Sequence, residues 1–291
     1  MKVLNIFCFG FGQVAKNFIN TINSKNYNIN LSVTTTHKTS KKSFNGINLK
    51  NYFFKDEEYD KNLLIELKQA DHILISIPPI KGEDLVLKNF LKTIEFSKVK
   101  WVTYLSATSV YGDHKGNWVN EDSETKPKTQ NGIARLKAEK LWLSLNIKKK
   151  LPIQVFRLSG IYSNEKNILI RLKSGTVKLI NNKNKYFSRI HLEDIANILF
   201  ESLLKFKSGE IYNLADDKPS TSQELTEYAC KILNIPDLEK IKIDETEGEM
   251  LKNFYKESKK VCNKKVKSFF NYNLKFSTYV EGLDYIRDNF I

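Results

Sequence analysis

The chain has 291 residues, 41% of them hydrophobic and 27% charged, a balance that supports a folded globule with a large core. Its formal charge of +14 raises the question of a nucleic-acid partner, but lysine is spread along the whole length, the longest basic run is Lys148-Lys149-Lys150, and no recognised nucleic-acid motif accompanies it, which argues against a specific nucleic-acid target. Scattered Cys8, Cys230 and Cys262 give no disulfide framework, four histidines on separate elements give no metal site, and no apolar run approaches the ~20 residues needed to span a bilayer; the expectation is a cytoplasmic protein with neither metal nor membrane partner.

In chain order, Val3, Leu4, Ile6, Phe7 and Phe9 form a nearly continuous apolar run, the pattern of a central parallel strand covered on both faces. The N-terminus therefore opens on a strand rather than a signal peptide. Next comes Gly10-Phe11-Gly12-Gln13-Val14-Ala15, and then Val14, Phe18 and Ile22 recur at helical spacing. Small residues at this strand-to-helix switch have separate tasks: Gly10 for the tight turn, Gly12 for close approach of backbone to a pyrophosphate, Ala15 for packing of helix on strand. The bare N–H groups and positive end of the helix receive the anion, so the segment predicts a dinucleotide site.

Strands are predicted at Ile29–Thr36, at Ile47–Phe54 and at His72–Ile77, the last stopped by Pro78-Pro79. Leu63, Leu64 and Leu67 suggest a helix, and helical spacing resumes over Leu85–Ile94. A strand follows at Trp101–Leu105, a long helix at Asn131–Leu145 and a strand at Ile153–Phe156. Strands alternating with helices imply an α/β fold with a doubly wound parallel sheet, the Rossmann arrangement, over residues 1–160. Beyond Arg157 the elements shorten, with helices at Glu193–Leu204 and Gln223–Leu233, a strand at Ile211–Leu214, and a tail rich in packing aromatics. Residues 161–291 read as a smaller substrate lobe interleaved with the last Rossmann elements.

The run Tyr104-Leu105-Ser106-Ala107-Thr108-Ser109-Val110-Tyr111-Gly112-Asp113 resembles a signature of the extended short-chain dehydrogenase/reductases, the NAD-dependent epimerase/dehydratase group. Arg157–Tyr162, Arg189–Ile195 and Tyr212–Asp217 resemble later motifs of that family in the same order. The resemblance implies a nicotinamide cofactor and a Tyr-x-x-x-Lys pair, in which a lysine holds the ribose and lowers the pKa of a tyrosine that exchanges a proton with substrate. Aligned on Gly132–Glu139, Lys137 fits the lysine and Ile133 takes the tyrosine position, while Ala107 stands where a Ser or Thr is usual. Neither Ile133 nor Ala107 can exchange a proton or donate a hydrogen bond from its side chain.

The sequence thus resembles an atypical branch that keeps the glycine loop and lacks the tyrosine; Ser76-Ile77-Pro78-Pro79 and the run from Phe254 agree with that branch. Thr108, Tyr111 and Lys137 are the catalytic candidates. Gly10, Phe11, Gly12, Gln13, Val14, Ser76, Pro78, Ser106 and Lys137 are expected at the cofactor. The activities implied are oxidoreductase or epimerase/dehydratase chemistry on a sugar nucleotide or other small carbonyl or alcohol; the alternative is a catalytically silent NADP(H)-binding sensor. A homodimer through sheet-flanking helices is implied by the family alone.

An acid at the end of the second strand would clamp the ribose diol of NAD, yet the first acidic residue of the chain is Asp56. Thr36, His37 and Lys38, continuing to Lys42, instead offer hydroxyls and cations suited to a 2′-phosphate, which favours NADP over NAD; the alternative is a solvated loop. Arg157 and His191 are read as structural, and Asp194 and Ser222 as helix N-terminal residues.

Overall fold

A computed structural model describes residues 3–38, 42–177, 179–180, 185–236, 238, 240–241 and 256–291. The chain divides into two compact units: Met1–Ala107, Ile133–Arg157 and Ile195–Ile211 form the first, and Thr108–Gly132, Leu158–Asp194 and Tyr212–Ile291 the second.

The elements run β1 (Leu4–Phe9), α1 (Gln13–Ser24), β2 (Ile29–Thr35), β3 (Ser43–Phe44), β4 (Ile47–Lys55), β5 (Glu58–Tyr59), α2 (Leu63–Gln69), β6 (His72–Ile75), α3 (Leu85–Glu95) and β7 (Trp101–Ala107). They continue with β8 (Trp118–Val119), α4 (Gln130–Lys149), β9 (Ile153–Leu158), β10 (Gly160–Tyr162), α5 (Ile168–Lys173), β11 (Leu179–Ile180), β12 (Arg189–His191) and α6 (Leu192–Leu204). The last are β13 (Ile211–Leu214), α7 (Ser222–Leu233), β14 (Lys240–Ile241), β15 (Lys260–Val261), α8 (Lys264–Phe270) and α9 (Tyr279–Phe290).

The main sheet has the order β13-β9-β7-β6-β1-β2-β4-β3, with β5 on β4. Its centre is parallel, Leu4 opposite Ile29 and Ile6 opposite His72, so the chain reverses direction of sheet growth on either side of β1. A crevice outside the carboxyl ends of the strands at such a reversal is where open α/β sheets bind ligands. The doubly wound Rossmann fold expected from the sequence is what the chain adopts.

Helices cover both faces, which explains the apolar β1. On one face Phe9 stacks on Phe90 at 5.2 Å between ring centroids, and the Trp142 indole N–H donates to Asp84 (2.8 Å), whose other oxygen caps α3 through Val86 and Leu87 N–H. On the other, Phe18 stacks on Trp101, and the Trp101 indole donates to Ser202 on α6 (3.1 Å). Glu139 on α4 and Arg157 on β9 form a buried pair, Nη2 to Oε2 at 2.8 Å with Nε in contact with both carboxylate oxygens at 3.2 Å. Arg157 is structural, as read from the sequence.

Several elements differ in detail from expectation. The strand at Ile47 is preceded by β3 through Asn45-Gly46, both with positive φ, the turn that matches strand twist in a two-residue hairpin. β6 stops at Ile75, and β7 runs on to Ala107.

In the second unit α5, α7 and α9 pack around Leu169, Leu172, Ala229, Leu283 and Ile286, beside the parallel pair β10 and β12. Ser222 and Asp194 both lie in the first turn of their helices, as expected. Thr221 caps α7, in a reciprocal box with Glu224. The buried Asp194 carboxylate accepts from Tyr272 Oη (2.9 Å), Lys275 N (2.6 Å) and Phe276 N (3.1 Å), pinning the chain before α9. Among the described residues no helix is long and apolar enough to cross a membrane.

Candidate functional site

The turn after β1 lies at the carboxyl edge of the first unit's sheet. Gly10 has φ +83°, and a Cβ there would meet Ile77 Cγ2 at 2.7 Å and Ser76 Oγ at 2.9 Å, so only glycine fits without displacement. Its N–H donates to Thr34 Oγ1 (2.8 Å), and the Ser76 hydroxyl lies 3.0 Å from Phe9 O and 3.1 Å from Gly10 O. Gly10, Thr34 and Ser76 therefore lock the turn from three strands, β1, β2 and β6. Ser76, expected at the cofactor, holds the loop, and Thr34, which sequence reading missed, does the same from β2. No alternation singles it out, because Leu31 to Thr34 are all buried in β2.

Gly12 is the opposite case. It is the N-cap of α1 with φ −83° and ψ −168°, no side chain caps the helix, and no acid sits in its first turn. A Cβ on Gly12 would have no neighbour within 4 Å. Uncapped N–H groups at a helix N-terminus facing open space form an anion site. Val14 and Ala15 are buried against the sheet, Gln13 is half-buried, and Phe11 packs edge-on against Phe44 at 5.0 Å.

Past β2, Thr35 Oγ1 lies 2.8 Å from His37 O and 2.9 Å from Asn51 Oδ1, bending the chain so that Thr36, His37 and Lys38 are exposed. Residues 39–41 of the expected basic loop lie outside the described residues. Pro78 is exposed beyond β6. A cleft of about 520 Å³ opens at the same edge between the β4–β5 turn and the loop after β6, lined among others by Asp56, Glu57, Lys81 and Glu83.

At the end of β7, Ser106 is 2% exposed and its hydroxyl has no partner. The helical phase of α4 determines which side chain meets this strand end. Arg135 reaches Leu105 O with Nη1 at 3.0 Å, and Ala138, Glu139 and Trp142 follow it inward. Ile133 is 51% exposed, and Lys137 is exposed too. The cation in contact with β7 is Arg135, while Lys88 first and then Lys137 hold the Glu83 carboxyl below its usual range, which places Lys137 toward the loop after β6. Beside Arg135, burial pushes the Tyr104 phenol well above its usual range, with the guanidinium pulling the other way.

Thr108 and Tyr111 belong to the second unit. Thr108 is half-buried at the start of a 3-10 turn, whereas Tyr111 is fully buried and donates its hydroxyl to Asn213 Oδ1 at 2.7 Å. Tyr111 is thereby corrected from acid/base candidate to packing residue. His191 is buried too, which pushes its imidazole down to about 4. Among the described residues no three His, Cys, Asp or Glu side chains gather as a metal site.

The NAD dependent epimerase/dehydratase family model matches residues 85–215. A conserved protein of unknown function from Silicibacter pomeroyi is 30% identical over 99% of both chains with a TM-score of 0.88. The chain belongs to the NAD-dependent epimerase/dehydratase family. This family member also shares its fold with the dTDP-glucose 4,6-dehydratase of Bacillus anthracis, solved in complex with NAD (19% identity, 98% of this chain and 96% of that one, TM-score 0.78). UDP-N-acetylglucosamine 4-epimerase from Bacillus cereus matches at 15% identity over 98% of both chains, TM-score 0.71. No curated protein matches. The turn fits a nicotinamide dinucleotide by its own geometry: an uncapped helix end, open space where a Gly12 Cβ would project, and an unpartnered Ser106 hydroxyl.

Proposed function

We propose that this chain binds NADP(H) in preference to NAD(H) and is an epimerase/dehydratase-like oxidoreductase of a small carbonyl or alcohol substrate such as a sugar nucleotide. The observation that carries the cofactor half is the α1 N-terminus, free of any side-chain cap and of any acid, in a chain whose first carboxylate is Asp56. The backbone N–H groups from Gly12 to Val14 hold the pyrophosphate, and Thr36, His37 and Lys38 take the 2′-phosphate. The bound nucleotide supplies a hydride donor or acceptor.

Lys137 stands where the family's lysine is expected and Ile133 at the tyrosine position, with Arg135 of the same helix held against Leu105 O of β7. The Arg135 guanidinium has donors and no acceptor, so it orients and attracts. Thr108 and the Ser106 hydroxyl are the remaining groups for the reacting oxygen. A second reading, a catalytically silent NADP(H) sensor, is favoured by one observation: the Ala107 and Ile133 side chains can neither exchange a proton nor donate a hydrogen bond, and the Tyr111 hydroxyl is engaged by Asn213. We also infer a homodimer through the outward face of α4, where Ile133, Leu141 and Ile147 are 51%, 45% and 73% exposed.

Titration of NADPH and NADH against the wild type, Lys38→Glu and Arg135→Ala tests the cofactor half. NADPH is expected to bind more tightly, Lys38→Glu to abolish that advantage, and Arg135→Ala to weaken both nucleotides; tighter NADH binding by the wild type overturns the preference. Loss of deuterium from labelled NADPH in a metabolite pool supports the enzyme, and its absence supports the sensor.

A further inference from the structure

Within the second unit, the two-residue strands β8 and β15 pair in parallel, Trp118 opposite Lys260 and Val119 opposite Val261, and with the start of α8 they border a cavity of about 500 Å³. That volume suits a small molecule. Its apolar lining is Val119, Val261 and Cys262, whose N–H is bonded to Val119 O at 2.8 Å. Trp118 lines the same space with 57% of its surface exposed, whereas Trp101 and Trp142 are buried in the first unit.

The polar lining separates into closed and open groups. Asn120 and Ser123 bond each other, backbone N to Oγ at 2.9 Å and Oγ to Oδ1 at 3.0 Å. Asp217 is saturated by Lys267, at 2.8 and 2.9 Å, and by the Asn263 amide at 2.7 Å. Lys264, exposed, has no ion pair among the described residues. Asp216 is the odd member: 1% exposed, with Oδ1 accepting Lys218 N–H at 3.2 Å and Oδ2 without a partner. A buried polar atom without a partner in a cavity wall calls for an explanation. Burial pushes the Asp216 acid up to about 8, against the pull of Arg189, so near neutrality it is a hydrogen-bond donor rather than a second anion.

We propose that this cavity, lined by residues of the second unit alone, is a second ligand site for a planar aromatic ring carrying one anionic group, with the ring on the Trp118 indole, the anion on Lys264 and a polar substituent on Asp216. An aryl carboxylate and an aryl phosphate share this chemistry. The ring gains area and stacking from an indole that is otherwise wet, and the charge finds a cation.

Benzoate and phenyl phosphate serve as probes with the full chain, followed by tryptophan emission and by calorimetry. Trp118 is the exposed indole, so binding is expected to quench emission saturably with at least one probe. Which probe binds more tightly identifies the anion. Lys264→Glu is expected to weaken binding about tenfold. Trp118→Leu is expected to remove the quench and leave weaker calorimetric binding. Both side chains are exposed, so neither change opens the core, and NADPH affinity should stay at the wild-type value in both variants. The proposal is overturned if neither probe binds saturably up to millimolar concentration, if Lys264→Glu binds as well as the wild type, or if NADPH displaces the probes. Each of those results leaves the nucleotide reading of the first unit standing.

Discussion

Replacing Gly10 and Gly12 separately by alanine makes one chemical change at two positions that the structure sets in opposite environments. At Gly10 the backbone has φ +83°, and the new methyl would lie 2.7 Å from Ile77 Cγ2 and 2.9 Å from Ser76 Oγ. The left-handed conformation costs an L-residue about 1–2 kcal/mol, and overpacking adds about 1–3 kcal/mol. Gly10→Ala should therefore lose about 2–5 kcal/mol, a fall in Tm of roughly 5–15 °C. At Gly12 the backbone, φ −83° and ψ −168°, is open to any residue and the methyl meets nothing within 4 Å. Stability should change by no more than about 0.5 kcal/mol, as for an exposed surface change. The same methyl, however, occupies the space in which a pyrophosphate approaches the α1 amides, so NADPH affinity should drop at least about tenfold, ~1.4 kcal/mol. Thermal or urea unfolding with nucleotide titration reads both. If Gly12→Ala binds NADPH like the wild type, the turn is not a phosphate cradle; if Gly10→Ala melts like the wild type, its packing against the loop after β6 is not as described.

Glu139→Ala strips the carboxylate from Arg157, whose side chain is 4% exposed, and should cost about 3–5 kcal/mol in urea unfolding, while Glu139→Met combined with Arg157→Met recovers most of it. Full stability in the single variant would contradict the buried pair. Asp216 and His191 set opposite pH slopes. Asp216, raised to about 8, favours folding fully below the ordinary carboxylate range, and that advantage is lost as pH rises to 8; His191, lowered to about 4, favours folding above its ordinary value of 6.5, and that advantage is lost as pH falls to 4. Between about 4 and 6.5 the two slopes cancel, and between 6.5 and 8 Asp216 alone removes about 1.4 kcal/mol per pH unit. Asp216→Asn should abolish that decline; an unchanged profile refutes the buried acid.

The nucleotide turn was legible because its logic is local: an apolar strand, two glycines and an amphipathic helix occupy consecutive residues. The sheet order followed from alternation of such units. That Arg135 of α4 would meet the end of β7 was not legible, and the reason is physical. Exposed Ile133, Leu141 and Ile147 make the helix apolar on its outer face as well as its inner one, so periodicity does not fix its phase. What fixes it is Glu139 meeting Arg157 from another strand, a contact that composition and spacing do not announce. Tyr111 likewise looked available until Asn213, 102 residues later, took its hydroxyl. The β3–β4 hairpin, by contrast, was written in Asn45-Gly46 and overlooked.

The first unit is assembled from three stretches of chain separated by pieces of the second. A ribosome must therefore deliver Ile211 before that unit has all its parts, and until β9 has emerged the edge of β7 that it will cover has its backbone groups unpaired. Neither unit can be obtained by a single cut in the gene, and a nascent chain paused after Ala107 would be an open sheet exposed to chaperones and to its neighbours.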